Sequence, residues 1–261
     1  MSIKSIMMAS MHQLSLLDST EKRAAWRVRE SRRARRLSLR VYRDGAVEVV
    51  APPRTTPRLI ESFVARHRDW IERKQRHATL RPPEAFPPAT LNLAAFGEQW
   101  QCVVEPAALR GVRIREPSPG VLCLRAPADA SAQSLQRSLR DWLGRRAATG
   151  FEGWLREVAL GMGLQFQQLQ IRWQRSRWGS CSSRGTISLN GALLFQPPAL
   201  VRYLMVHELS HLKHMNHSAR FWALVEQHEP DWRRLDRELL AGWVHVPSWL
   251  HGPGGGAGMG Y

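Results

Sequence analysis

Apolar and polar positions alternate strictly at Leu37, Leu39 and Val41 and again at Val47 and Val49, with Asp44-Gly45 between the two runs. A period of two predicts strands, and Asp-Gly supplies the positive φ of a tight turn, so this segment reads as a β-hairpin. Pro52-Pro53 ends it, and Pro57 opens a helix whose apolar positions are Leu59, Ile60, Phe63, Val64, Trp70 and Ile71. Short strands are expected around 91–104, 112–116 and 121–125. A helix over roughly 130–160 follows from the spacing of Leu135, Leu139, Trp142, Leu143, Phe151, Trp154, Leu155 and Val158, and Gly161 and Gly163 end it. Strands at Leu169–Trp173 and Thr186–Leu189 come next, joined by a loop that holds Trp178-Gly179-Ser180-Cys181.

These patterns set the expected organisation. Residues 1–36 form a basic arm without order of its own, and 37–128 an N-terminal α+β region with a Pro-rich linker near 81–90. Residues 129–251 form the main domain, and 252–261 a Gly-rich, disordered tail. There is no internal repeat.

The segment from Leu200 to Trp222 carries the chemistry. Leu200, Tyr203, Leu204 and Met205 lead an apolar helix into His207-Glu208-Leu209-Ser210-His211. Residues four apart share a helix face, about 6 Å apart along the axis, so two imidazoles can meet on one ion. Glu208 is displaced from that face but within reach of a water held there. H-E-x-x-H on a helix is the zinc-peptidase pattern, with the carboxylate as general base. Zinc takes three protein ligands at a catalytic site. His217 is the expected third, because Met215-Asn216 can turn the chain and Ser218 can cap a following helix with Phe221, Trp222, Leu224 and Val225. His214, Glu226 and Glu229 are the competing ligands.

Charge and cysteines adjust this picture. Of the 261 residues 43% are hydrophobic, enough for a core, while 38 Lys and Arg against 22 Asp and Glu give a net charge of +16. Such a surface attracts polyanions, DNA among them. Arg172, Arg175, Arg177 and Arg184, interleaved with Trp173 and Trp178, are the candidate contacts for single-stranded nucleic acid. Cys102, Cys123 and Cys181 are far apart, which speaks against a disulfide framework and for a reducing compartment. The first residues lack the continuous apolar stretch of a signal peptide, so a cytoplasmic, non-membrane, monomeric protein is expected. A nucleic-acid-binding protein with a structural zinc, or a DNA-associated protease acting on nucleoprotein, are the alternatives to a plain peptidase of peptide or protein substrates.

The runs RWGSCSSRGTISLNGALLFQPP (177–198) and HELSHLKHMNHSARFW (207–222) resemble the YgjP-like metallopeptidases, relatives of the SprT/Spartan-like zinc proteases. The upstream run RRARRLSLRVYRDGAVEVVAPPR and the helix ending in RDWIERK are similar to the same family's N-terminal region, so the resemblance covers most of 32–240. It implies an α+β, zincin-like catalytic domain with one Zn(2+) per chain: a small sheet whose edge strand lines a cleft beside the H-E-x-x-H helix. Trp178, Gly179, Ser180, Cys181 and Asn190 then border the substrate. No tyrosine between Tyr203 and Tyr261 is placed to stabilise an oxyanion, which leaves that task to zinc or to Arg172, Arg175 or Arg177.

Overall fold

The structure is a computed structural model that describes residues 26–32, 34–41, 46–79, 84–175, 177–251 and 259–260. Two apolar cores organise it. The smaller gathers Leu39, Val41, Val47, Val49, Ala51, Ile60 and Ile71; the larger runs from Leu91 to Leu250.

The predicted hairpin pairs as expected: β2 (Ser38–Val41) is antiparallel to β3 (Val47–Ala51), with Leu39 opposite Val49. The Asp44-Gly45 turn lies outside the described residues. Against the inner face pack α1 (Pro57–Arg66) and α2 (Arg68–Thr79), two helices where the periodicity suggests one. The break is at His67, whose backbone leaves helical geometry and whose Nδ1 lies 2.7 Å from the Phe63 carbonyl.

Part of the expected arm is a strand. Residues Trp26–Glu30 form β1, parallel to β3. Arg27 and Arg29 both reach Glu48, each 3.3 Å away, and Glu48 is buried on the opposite strand. The density of arginine hides this strand in the sequence, because an alternating Trp-Arg-Val-Arg reads as charge before it reads as period two. The arm's other residues before Trp26, and the tail but for the two-residue strand β11 (Met259–Gly260) beside β2, lie outside the described residues.

The second sheet has the order β4-β5-β7-β6: β4 (Thr90–Leu93), β5 (Glu98–Pro106), β6 (Arg113–Ser118) and β7 (Val121–Ala126). Its inner face supplies Leu91, Leu93, Trp100, Leu122 and Leu124 to the larger core. That core therefore continues across residue 128, and the two cores part between Ile71 and Leu91, around the Pro-rich stretch. α3 (Ala132–Gly161) spans about 45 Å and buries Leu135, Leu139, Trp142, Leu143, Ala147, Phe151, Leu155 and Val158 along one stripe. Ser131 caps it, accepting from the Ser134 amide at 3.2 Å.

The third sheet, in the order β8-β10-β9, positions the site. β8 (Gln168–Arg172) is parallel to β10 (Thr186–Asn190), and β9 (Gly179–Cys181) is antiparallel to β10 at the edge. A buried 3-10 turn, Gly191–Phe195, leads from β10 into α4 (Pro198–Ser210), which packs on α3, β9, α5 (Ala219–His228) and α6 (Trp232–Ala241). The whole is mixed α+β with three small sheets.

The buried Glu48 between two arginines generates a test. Glu48→Ala is expected to lower stability by about 1–2 kcal/mol, because two partly exposed charge-assisted contacts are lost. Hydrogen exchange in Arg27–Glu30 should rise with it. An unchanged exchange pattern would mean that backbone pairing alone holds β1.

Candidate metal centre

α4 is apolar almost all round. Leu200, Val201, Tyr203, Leu204, Met205, Val206 and Leu209 are buried, which is the signature of a helix enclosed by its neighbours. Within it His207 and His211 stand one turn apart on one face, ring centroids 5.1 Å from each other. The helix ends at Ser210, and amides of Lys213 and His214 close its last turn on the Ser210 carbonyl at 3.1 and 3.0 Å. The chain then turns through Met215-Asn216. Ser218 takes the N-cap position of α5 but makes no side-chain cap bond.

That turn returns His217 to the pair. Its ring lies 5.1 Å from His207 and 4.8 Å from His211, and the ligand atoms of all three lie within 4.8 Å of one another. The Nε2 atoms of His207 and His217 are 3.2 Å apart. Two imidazole nitrogens held tetrahedrally at the usual zinc–nitrogen distance stand about 3.3 Å apart, so the spacing fits the ion. The histidine chemistry fits as well. The Nδ1–H of His211 donates to the His214 carbonyl at 3.1 Å, which leaves Nε2 as the lone-pair nitrogen.

Burial disfavours the protonated form of the two helix histidines. It pulls His207 down to about 3, with His211 and His217 adding repulsion, and it lowers His211 as well. The competing residues do not join the cluster among the described residues. Glu226 Oε1 accepts from Arg233 at 2.8 Å, Glu229 pairs with Arg202, and His214 contributes its carbonyl.

Glu208 is 5% exposed, and burial pushes its carboxyl up to about 8, against the opposing field of Arg177. Its carboxyl packs directly on the backbone of β9. A Cβ added at Gly179 would stand 2.6 Å from Oε1 and 2.9 Å from Cγ, closer than atoms tolerate. Glycine at 179 is what lets the edge strand approach the acid. Cys181, two residues on, has its thiol raised to about 11 by burial and by Glu208.

The other candidates divide. Gly179, Ser180 and Cys181 form the half-buried edge strand beside α4. Trp178 is buried and stacks on Trp243, centroids 4.0 Å apart. Asn190 is buried and its amide donates to the carbonyls of Gln174 at 2.7 Å and Arg177 at 2.9 Å. Its Oδ1 accepts from the Ala192 amide at 3.1 Å, so this side chain ties Gln174 and Arg177 to the turn before α4. Arg172, Arg175 and Arg177 are exposed at one end of the third sheet, while Arg184 sits in the β9–β10 turn at the other end.

Three residues near the histidine cluster were not singled out from sequence. Phe221 is fully buried under the triad, 4.5 to 5.0 Å from each histidine ring. Trp222 lies beside His217, and Trp232 beside Trp222. In the sequence Phe221 and Trp222 read only as apolar helix positions. Their nearness to His217 is the signal that would have marked them.

The profile of a family described as YgjP-like, metallopeptidase domain, matches residues 35–241. The crystal structure of the metallopeptidase zymogen of Pyrococcus abyssi abylysin is similar at 28% identity, covering 34% of this chain and 91% of that one, with a TM-score of 0.33. The corresponding zymogen of Methanocaldococcus jannaschii jannalysin is 18% identical over 33% of this chain and 90% of that one, with a TM-score of 0.30. No curated protein matches significantly.

The buried acid makes the metal-free protein sensitive to pH. Glu208 has a folded value near 8 against an ordinary 4.5, so its contribution to stability is full below 4.5 and is lost as pH rises through 8. His207, lowered from 6.5 to about 3, acts in the opposite sense and loses its contribution as pH falls below 6.5. A Glu208→Gln variant removes the first effect and keeps the second. Chelator-treated Glu208→Gln is expected to gain on the parent between pH 5 and pH 8.5, by on the order of 3–5 kcal/mol. Denaturant titrations at the two pH values measure it, and a constant difference would show that Glu208 holds no extra proton.

Proposed function

Because the chain belongs to the YgjP-like metallopeptidase family, we propose that it hydrolyses peptide bonds with one zinc ion held by His207, His211 and His217 and with Glu208 as general base. The observation that carries this reading is the 3.2 Å approach of two imidazole nitrogens, closed by a third histidine, beside a buried carboxyl that is not itself a ligand. A purely structural zinc site fills its positions with protein ligands and has no use for such an acid.

A zinc ion in this triad supplies Lewis acidity towards a carbonyl and lowers the pKa of water. Glu208 moves the protons: as carboxylate it takes one from the attacking water and hands it to the departing amine. Arg177 favours the carboxylate form, and burial keeps the carboxyl basic enough to accept a proton near neutral pH. β9 pairs with β10 on one side only among the described residues. Its other edge offers backbone amides and carbonyls to an extended chain, the usual way a strand edge binds a peptide. The closeness of Gly179 to the Glu208 carboxyl supports the reading that this edge borders the substrate. Tyr203 takes no part in oxyanion binding, since its hydroxyl donates to Asp236 at 2.8 Å in the core. The exposed guanidinium of Arg177, whose charge acts on Glu208, is the candidate for that task. Together the edge strand and the helix support a zincin-like reading of the fold.

A second reading concerns substrate choice. Arg172, Arg175 and Arg177 gather at one end of the sheet that carries β9, in a chain of net charge +16, which favours polyanion-associated protein substrates. Among the described residues no helix is long and apolar enough to cross a membrane.

Elemental analysis of the purified protein is expected to find about one zinc per chain, strongly reduced in His217→Ala. Full retention in that variant would move the third ligand elsewhere. With unfolded protein as substrate, Glu208→Gln should keep its zinc and lose activity by about 10²-fold or more; comparable activity would remove Glu208 from the role of base. Gly179→Ala should likewise keep zinc while slowing turnover, because the added methyl displaces the Glu208 carboxyl. An active Gly179→Ala enzyme would show that the strand yields instead.

A further inference from the structure

The three ligands are held in different ways. His207 and His211 are fixed by the backbone of α4, and His211 is also tied through Nδ1 to the His214 carbonyl. His217 stands outside any helix and is exposed. Among the described residues its ring has one hydrogen-bonding contact, the Nε2 approach to His207, which is the ligand atom itself. Something else must set the plane of this ring.

A row of flat groups does so. The His217 ring lies over Trp222 at 5.6 Å with 25° between planes. Trp222 stacks on Trp232 at 4.0 Å and 15°. The Arg233 guanidinium lies 4.5 Å from the centre of Trp232, and its Nη1 donates to Glu226 at 2.8 Å. Glu226 stands one turn after Trp222 on α5, and Trp232 and Arg233 open α6. The row thus starts at the ligand and is clamped at its far end by an ion pair between the two helices. Phe221 meets the same ring edge-on at 4.8 Å and 82°, which limits sideways travel. Rings in such contact resist tilting, since offset stacking and edge-to-face packing each add about 0.5–1.5 kcal/mol beyond area burial.

We infer that Trp222, backed by Trp232, is a positioning residue for the metal: its face holds the His217 imidazole in the plane from which Nε2 can ligate. The inference rests on the zinc reading above and assigns to stacking the task that hydrogen bonds usually perform for ligating histidines. Neither tryptophan touches the reacting atoms.

The test separates shape from bulk. Zinc affinity is measured by competition with a chromophoric chelator in the full-length parent, Trp222→Phe, Trp222→Leu and Trp232→Leu, with melting of each metal-free protein alongside. Trp222→Phe keeps a flat face and should bind within about threefold of the parent. Trp222→Leu keeps apolar volume without the face and should bind about tenfold more weakly or worse. Trp232→Leu, one step further away, should show the same loss in smaller measure, and it serves alone should Trp222→Leu fail to fold. A role in packing alone predicts that affinity follows the melting temperature across the series and that leucine serves as well as phenylalanine; that pattern overturns the inference. A parent that binds no zinc overturns the zinc reading and the inference with it, while a zinc-binding parent with unaltered leucine variants overturns the inference only.

Discussion

The structure depends on enclosing α4. A helix that is apolar on nearly every side can exist in water only if other elements cover all of it. α3, α5, α6 and the edge strand β9 are that cover. The polar groups admitted into so dry a setting are few, and burial strongly displaces the proton affinities of three of them, raising Glu208 and Tyr203 and lowering His207. The enclosure that stabilises the helix is also what tunes the acid and keeps the imidazole neutral. Stability and chemistry come from the same packing.

The main elements of the site were legible because they obey local rules. The i, i+4 histidines need only a helix, and the run Leu200–Met205 announces one. The hairpin and the thirty-residue α3 declare themselves by period. What stayed hidden depends on tertiary approach. Nothing local marks Gly179 as the point where a strand meets Glu208, since a glycine in a loop-like W-G-S-C run has many local readings. Nor does anything local show that the Asn190 amide donates to two carbonyls thirteen and sixteen residues earlier in the chain. Trp222 and Trp232 face each other because α5 and α6, joined by a short turn at Pro230, both pack on α4.

The larger core also takes residues from both sides of residue 128. β4–β7 lie before residue 128 in sequence but bury their apolar face on α3 and its neighbours. Their apolar side chains share a cluster with α3 and α4, while the hairpin and the helices after it form a separate one. Where the chain changes allegiance is where prolines gather, as short irregular connections between compact bodies usually are.

The triad bridges a short stretch of chain, ten residues from His207 to His217. A cross-link that closes so small a loop removes little entropy from the unfolded polymer, because closure entropy grows with span. Two of its anchors already sit on a helix that the large core immobilises. An ion bound here would add little through chain entropy: it would fasten one turn to a scaffold that hydrophobic burial already holds.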